Sequence, residues 1–203
     1  MSTGNRNQWI AVGIIVFLLG AALTVGMLLQ EDISHVTVGA EAPDFVAVNI
    51  ASEDSVRLSD YQGEVVLLNL WATWCAPCRQ EMPSMERLYE ELGPEGLRIV
   101  AVSVDPTRRV VHEFVDEYGL TFDILHDQSQ RVDVLYQTTG LPESFVIDRH
   151  GVIVKKTYQM EWDHPAQVAF LRTLLGTDDT QPTNLTEDQR TGTAEASAAA
   201  PGG

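Results

Sequence analysis

Two short apolar runs with a helical pattern between them constrain the fold of this chain more than any other feature. Residues 64–71 (EVVLLNLW) and 97–104 (LRIVAVSV) have the length and composition of strands that are buried on both faces of a sheet. Between them, residues 77–92 carry apolar side chains at spacings of three and four, and Gly93-Pro94 ends the pattern. This strand–helix–strand unit predicts parallel strands and an α/β fold.

Further predicted elements surround this unit. After the second strand, Asp105-Pro106 supplies a predicted cap and first turn for a helix that ends at Tyr118. Residues 143–148 and 152–158 predict an antiparallel hairpin around a tight turn. Shorter predicted elements are strands at 45–50, 56–58 and 122–125 and helices at 129–136 and 164–175. The sequence thus predicts a central mixed sheet with helices on both faces.

Residues 10–29 are a run of twenty residues without a charge. As a helix this run would span about 30 Å, the thickness of the hydrocarbon core of a bilayer. Arg6 precedes the run and acidic residues follow it, so the positive-inside rule places residues 1–9 in the cytoplasm. We therefore predict one N-terminal transmembrane helix in the cell membrane, with the rest of the chain extracytoplasmic. The alternative is a signal peptide cleaved near the small residues at 20–22, but the run is longer than a usual signal core.

The remaining chain divides into a predicted spacer at 30–38, a folded domain at 39–176 and a tail at 177–203. The tail is acidic and rich in Ala, with a single large aliphatic residue, so it is predicted to be disordered. The net charge is -16, from 13 basic and 29 acidic residues, and this repels phosphate backbones. We expect a monomer that does not bind nucleic acid.

The chemistry of the chain is predicted from its two cysteines, Cys75 and Cys78. They lie three residues apart, where the first buried strand gives way to the helix. The free N–H groups and the dipole at a helix start stabilise a thiolate, so Cys75 is the predicted nucleophile, with a lowered pKa. Cys78 lies one turn further in and is predicted to resolve a mixed disulfide formed at Cys75.

Two other interpretations of the pair are an inert structural disulfide and half of a metal site. A bridge that closes so small a ring removes little chain entropy. A zinc site would need two more ligands, and the histidines show no close ligand spacing. We interpret these histidines as surface or packing residues: His35, His112, His126, His150 and His164. We predict no metal and no cofactor.

Four motifs make the chain similar to a known family. They are Ala42-Pro43-Asp44-Phe45, Leu58-Ser59-Asp60-Tyr61-Gln62-Gly63, WATWCAPC at 71–78 and GLPESFVID at 140–148. Over residues 39–176 the sequence resembles the thioredoxin superfamily, and more closely its membrane-anchored, extracytoplasmic branch of TlpA-like and ResA-like thiol-disulfide oxidoreductases. The resemblance implies a thioredoxin-like fold and a redox-active Cys75–Cys78 disulfide.

The resemblance also implies roles for residues around the dithiol. Pro142 matches a proline that is cis in the family and faces the dithiol, and the backbone of Leu141 is expected to pair with a bound substrate chain. Where thioredoxin keeps a buried Asp, this chain has Asn69, which cannot exchange protons. Glu81 shares the helical face of Cys78 and is the candidate for assisting its deprotonation. The alternative is that Glu81 is a solvated carboxylate of an acidic helix.

Three further residues of the WATWCAPC motif have predicted positions. Trp74, beside the nucleophile, is expected to form part of a docking surface for a partner chain, whereas Trp71 is expected in the core. Pro77 starts the helix and lacks a backbone N–H, so we expect it to favour the reduced state.

The predicted function is a membrane-anchored thiol-disulfide oxidoreductase that reduces disulfides of exported proteins with electrons from a membrane donor. The resemblance implies apocytochrome c as a client, and thus a role in cytochrome c-type biogenesis and cell redox homeostasis. A disulfide-forming oxidase is an open alternative that only the reduction potential separates. A thiol peroxidase is disfavoured, because Ala72 replaces the Thr or Ser found three residues before a peroxidatic cysteine. A redox-inert binding module is disfavoured by the dithiol itself.

Overall fold

The computed structural model describes residues 3–28 and 36–176, and the chain divides into two units, Met1–His35 and Val36–Gly203. In the first unit a single helix, α1, runs over Thr3–Leu28. No helix in the described part of the chain is both long and apolar enough to cross a membrane. The anchor at 10–29 thus stays a prediction. Its last residue, the predicted spacer up to residue 35 and the predicted tail at 177–203 lie outside the described residues.

The second unit contains the predicted strands and helices. The strands are β1 (Val46–Asn49), β2 (Ser55–Arg57), β3 (Val65–Trp71), β4 (Leu97–Ser103), β5 (Asp123–His126), β6 (Glu143–Ile147) and β7 (Ile153–Tyr158). The helices are α2 (Ala76–Leu92), α3 (Arg108–Tyr118), α4 (Arg131–Leu135) and α5 (Pro165–Leu175), with a short 3-10 helix over Leu58–Tyr61.

All seven strands form one sheet in the order β2-β1-β5-β4-β3-β6-β7. β3 is parallel to β4 and β4 to β5, since a crossover helix joins each pair. β6 and β7 form an antiparallel hairpin, and in its turn Asp148 accepts hydrogen bonds from the backbone N–H groups of His150 and Val152. The predicted mixed sheet and hairpin are confirmed.

Alternate residues of the central strands face two separate cores. On one face, Leu67 and Trp71 of β3 join apolar residues of α2, α3 and α5. On the other face, Leu68 packs with Val132 of α4 and Leu58 of the 3-10 helix. Helices therefore cover both faces as predicted, but unequally, because α2, α3 and α5 share one face. The Cys75–Cys78 segment, which leads into α2, belongs to that more heavily covered face.

The start of α3 differs from the prediction. The helix begins at Arg108 with Thr107 as its cap residue, so Pro106 lies before the helix and Asp105 does not cap it. The physical reason is that the Asp105 carboxylate is already occupied by hydrogen bonds from Thr73 and Ser103. The predicted cap is therefore wrong.

The chain enters the second unit alongside β7. Val36, which the sequence analysis assigned to the spacer, is buried in the core that contains Leu68. The Gly39 N–H donates to the Ile153 carbonyl at 2.8 Å, and the Ile153 N–H donates to the Ala40 carbonyl at 2.9 Å. Residues 36–42 thus run beside the first residues of β7.

Candidate active site

The two cysteines lie where β3 ends and α2 begins. Cys75 is the cap residue of α2 and forms a disulfide with Cys78, with an S–S distance of 2.09 Å and a Cα–Cα distance of 5.2 Å. The backbone N–H of Cys78 donates to Sγ of Cys75 at 3.2 Å, so a free donor of the helix start contacts the predicted nucleophile. Cys75 is 6% exposed and Cys78 is 0% exposed. Of the two cysteines, only Cys75 thus retains any exposed surface.

A buried carboxylate holds the turn that precedes Cys75. Asp105, just past the end of β4, accepts hydrogen bonds from the backbone N–H and the hydroxyl of Thr73 at 2.8 and 2.7 Å. Ser103 donates its hydroxyl to the same carboxylate at 2.8 Å. Because the carboxyl ends of the parallel neighbours β3 and β4 meet, Asp105 reaches this turn. The sequence analysis missed this role, although an acidic residue directly after a buried parallel strand was an available signal.

A cavity of about 620 Å³ opens beside Cys75. Its lining includes Trp74, Pro77 and Leu141, so the structure brings these three predicted site residues together around the nucleophile. The Leu141–Pro142 bond is cis, as the family resemblance implies. Trp74 is 66% exposed, which leaves its indole available to a partner chain, whereas Trp71 is fully buried in the core as predicted.

Glu81 is buried on α2, with 2% exposure, so the alternative of a solvated carboxylate is wrong. Its Oε1 accepts hydrogen bonds from the Trp162 indole at 2.7 Å, the Asn69 amide at 3.2 Å and the Ser144 hydroxyl at 3.3 Å. Asn69 also donates to the Ser144 hydroxyl at 2.8 Å, across the paired strands β3 and β6. The residue that replaces the buried Asp of thioredoxin thus contacts the predicted proton acceptor directly.

The environment of Glu81 favours its neutral form. Burial raises the pKa of its carboxyl above the ordinary value of 4.5, and hydrogen bonds from Trp162, the Met160 backbone and Ser144 offset part of that rise. Oε2 is buried, and in the described part of the chain no donor reaches it within normal hydrogen-bond distance and angle. Within residues 3–28 and 36–176, no Lys, Arg or His forms an ion pair with Glu81. A buried carboxyl without a cation holds a proton more firmly than an exposed carboxyl does, which suits it to proton exchange with a neighbouring thiol.

Two members of this network, Ser144 and Trp162, were not predicted. Ser144 lies opposite Asn69 in the pairing of β6 with β3, and the alternation of side chains along a strand was an available signal. Trp162 lies between β7 and α5, outside any periodic pattern. Nothing in the local sequence indicates that its indole reaches a residue of α2.

The described histidines occupy surface or packing positions. His126 is buried, with Nε2 at 2.8 Å from the Asp105 carbonyl oxygen. His164 is exposed and caps α5 through its ring nitrogen, which accepts the Ala166 N–H. In the part of the chain that the structure describes, no group of three or more His, Cys, Asp or Glu side chains is arranged to hold a metal ion.

Comparison with known proteins gives consistent matches. Residues 38–156 match the AhpC/TSA family. The thiol-disulfide oxidoreductase ResA of Oceanobacillus iheyensis is 42% identical over 154 residues, which cover 73% of this chain and 80% of that protein. ResA of Geobacillus thermodenitrificans is 40% identical over 144 residues, which cover 70% of this chain and 82% of that protein.

A crystal structure assigned to the thiol:disulfide interchange protein DsbE of Chlorobium tepidum is also similar. It has a TM-score of 0.60 and 32% identity, and the match covers 68% of this chain and 95% of that one. The described domain therefore has a thioredoxin-like fold, and its Cys75–Cys78 pair is that of a thiol-disulfide oxidoreductase. On these matches the chain belongs to the AhpC/TSA family.

Proposed function

We propose that the chain is a membrane-anchored, extracytoplasmic reductase of disulfides in exported proteins. In this proposal residues 10–29 anchor the protein, residues 1–9 face the cytoplasm and a membrane dithiol supplies the electrons. The observation that carries the proposal is the unequal access to the two sulfurs, since Cys75 lies at a cavity and Cys78 is fully buried. Such a pair suits one sulfur that meets the client and one that acts only inside the protein.

The proposed reaction starts from the reduced dithiol. The Cys75 thiolate attacks one sulfur of a client disulfide, which forms a Cys75–client bond and releases the other client sulfur as a thiolate that takes up a proton. Cys78 then loses its proton and attacks Sγ of Cys75. This restores the Cys75–Cys78 disulfide and releases the second client sulfur, so two electrons and two protons pass to the client. The membrane donor reduces the disulfide again.

Glu81 is the proposed acceptor of the Cys78 proton. Cys78 has no access to solvent, and Asn69 cannot exchange a proton, so the acceptor has to lie in the interior. Glu81 follows Cys78 by three residues on α2 and therefore lies on the same helical face. Because burial raises its pKa above the ordinary value, it accepts a proton more readily than an exposed carboxylate does.

The proposed client is an extended polypeptide segment with a disulfide. The cavity beside Cys75 offers the exposed indole of Trp74 and the loop at Leu141, which suits a chain that lies across the sulfur. The family resemblance supports apocytochrome c as one such client. Attachment to the membrane raises the effective concentration of the catalytic domain near clients and donors at the same surface.

A trapping experiment tests this proposal. In the full chain, Cys78→Ser removes the resolving thiol, so Cys75 is expected to accumulate mixed disulfides with exported client proteins, visible on non-reducing gels and identifiable by mass spectrometry. Cys75→Ser is the matched control. It also keeps one thiol, that of Cys78, but this thiol is buried and is expected to trap few clients. Equal trapping by the two variants would contradict the assignment of Cys75 as the nucleophile.

The reduction potential separates the reductase from the oxidase. A potential of the Cys75–Cys78 couple near or below about -230 mV supports a reductase, and a value near about -120 mV supports an oxidase instead. The measurement uses the full chain equilibrated in glutathione or dithiothreitol buffers, with thiols trapped by alkylation. The peroxidase alternative gains no support from the site, because the buried Ala72 offers no hydroxyl near Cys75.

A further inference from the structure

Glu81 Oε1 accepts hydrogen bonds from three neutral donors, which belong to three separate segments of the chain. Asn69 belongs to β3, Ser144 belongs to β6, and Trp162 lies in the segment before α5. The hydrogen bond from the Trp162 indole is the shortest of the three, at 2.7 Å. Oε1 therefore accepts three hydrogen bonds, whereas among the described residues no donor reaches Oε2 within normal hydrogen-bond distance and angle. Oε2 is thus the carboxyl oxygen with room for a proton.

Trp162 is itself held in place from the backbone. Its N–H donates to the Ser84 hydroxyl at 3.1 Å, and that hydroxyl donates to the Glu81 carbonyl at 2.8 Å. The Trp162 side chain is fully buried, and its ring lies 5.8 Å from the Lys155 ammonium. Both the backbone and the indole of Trp162 are thus tied to the turn of α2 that carries Glu81.

Among the described residues, few charged groups lie close enough to Glu81 to shift the pKa of its carboxyl. On α2 the titratable neighbour is Cys78. The Lys155 ammonium of β7 lies over the Trp162 ring and donates a hydrogen bond to Gln167 Oε1. The strands contribute only the neutral Asn69 and Ser144. Beside Trp162, Asp163 is paired with Arg87 at 2.6 Å. Burial therefore acts on the pKa of Glu81 first, and the hydrogen bond from Trp162 is the largest of the effects that oppose it, ahead of those from the Met160 backbone and Ser144.

We propose that Trp162 is a positioning residue for thiol-disulfide exchange, whose indole N–H holds Glu81 with Oε1 occupied and leaves Oε2 to take up and return the proton of Cys78. This inference rests on the proposed function of Glu81. A donor to the charged form of a carboxyl lowers its proton affinity, so Trp162 also keeps Glu81 from holding its proton too firmly once burial has raised its pKa.

The test measures the titration of Glu81 itself. The full chain is prepared in detergent micelles in its disulfide form, in which neither cysteine titrates, with ¹³C in the glutamate side-chain carboxyls. The Glu81 resonance is assigned by its loss in Glu81→Gln. Trp162→Phe keeps an aromatic ring but removes the donor, and we expect the Glu81 midpoint to rise by about one pH unit, a tenfold change in proton affinity.

Trp71→Phe is the matched control. Trp71 is as fully buried as Trp162, but its indole nitrogen has no hydrogen-bond partner among the residues that the structure describes. The same chemical change there is expected to lower stability without moving the Glu81 midpoint. Coinciding midpoints in Trp162→Phe, Trp71→Phe and the unmodified chain would overturn the proposal.

A second measurement needs no substitution at Trp162. In the unmodified ¹⁵N-labelled chain, the Trp162 indole resonance is expected to shift with the same midpoint as the Glu81 carboxyl, and a resonance that stays constant through that titration would overturn the proposal. The two hypotheses also fail separately. An unchanged titration of Cys78 in reduced Glu81→Gln, followed by the ¹³Cβ resonance of Cys78, contradicts the role of Glu81, whereas an unchanged Glu81 midpoint in Trp162→Phe contradicts the role of Trp162.

Discussion

Two buried carboxylates, Glu81 and Glu143, lie on opposite faces of the sheet at β6, and their surroundings differ. Glu143, the first residue of β6, is 0% exposed, and its Oε1 lies 3.1 Å from the Lys156 ammonium. Glu81 lies on the face of Ser144, and within residues 3–28 and 36–176 it meets three neutral donors but no ammonium or guanidinium. A buried charge is stable when a cation compensates it, whereas an uncompensated carboxyl tends to hold a proton. One face thus pairs its buried carboxylate with a cation, whereas the carboxyl on the other face has neutral hydrogen-bond partners.

The largest effect is expected from removing the cation of the Lys156–Glu143 pair. Lys156→Met leaves Glu143 buried without compensation, and we expect the free energy of unfolding at pH 7 to fall by about 3 kcal/mol in urea titrations. We take the low end of the usual range because the Lys156 side chain is 25% exposed. The double variant Lys156→Met/Glu143→Gln should recover most of the loss, and a single variant as stable as the wild type would contradict the importance of this pair.

The next effect concerns the rate of the internal step. With a client peptide joined to Cys75 as a mixed disulfide, Glu81→Gln is expected to slow release of the peptide by Cys78 by about 100-fold, because the proton acceptor is lost. Stopped-flow detection of the released thiol measures this rate. Glu143→Gln is the control on the other face and should release the peptide at a rate close to that of the wild type. Equal rates in the two variants would remove the distinction between the carboxylates.

A smaller effect appears in the pH dependence of stability. Since burial raises the pKa of Glu81 in the folded state, the folded chain binds more protons than the unfolded chain above pH 4.5. The contribution of Glu81 to stability is therefore full below its unfolded pKa and is lost as pH rises through the folded pKa. Glu81→Gln lacks this term, so its stability relative to the wild type should increase with pH, by at most about 1.4 kcal/mol per unit. Urea unfolding at a series of pH values measures the difference, and a constant difference contradicts the raised pKa.

The smallest effect is expected at Ser144. Its hydrogen bond to Glu81 is 3.3 Å long, against 2.7 Å for that of Trp162. Ser144→Ala should therefore move the Glu81 midpoint upward by less than Trp162→Phe does, with a loss of stability of about 1 kcal/mol. The carboxyl titration described for Trp162→Phe measures both variants. A larger shift in Ser144→Ala would show that the strand, rather than the segment before α5, controls Glu81.

The sequence predicts those parts of the molecule that depend on local patterns. The apolar runs of β3 and β4, the periodicity of α2 and the position of Cys75 at a helix start follow from residues close together in the chain. Glu81 could be placed on the face of Cys78 by helical spacing alone. The cis bond before Pro142 followed from the family resemblance, because a bare X-Pro sequence favours trans.

The parts that could not be predicted depend on contacts between distant residues. Trp162 reaches Glu81 across 81 positions and Ser144 reaches it across 63. Asp105 was assigned to a helix cap, a common local use of Asp, but the parallel pairing of β3 and β4 brings it to Thr73 instead. Tertiary packing determines the hydrogen-bond partners of these side chains, because it brings them close to groups that are distant in the sequence.

Residues 36–42 affect how readily the folded protein pairs with other protein molecules at the edge of its sheet. β7 is the last strand of the sheet, and an open last strand is a template for pairing with strands of other molecules. Residues 39–42 occupy its first backbone groups, through the hydrogen bonds at Ile153 and the bridge between Glu41 and Val152. Farther along the strand come Lys155 and Lys156, residues whose charge discourages strand addition. Residues 36–42, which lead into the domain, therefore also reduce its tendency to aggregate through β7.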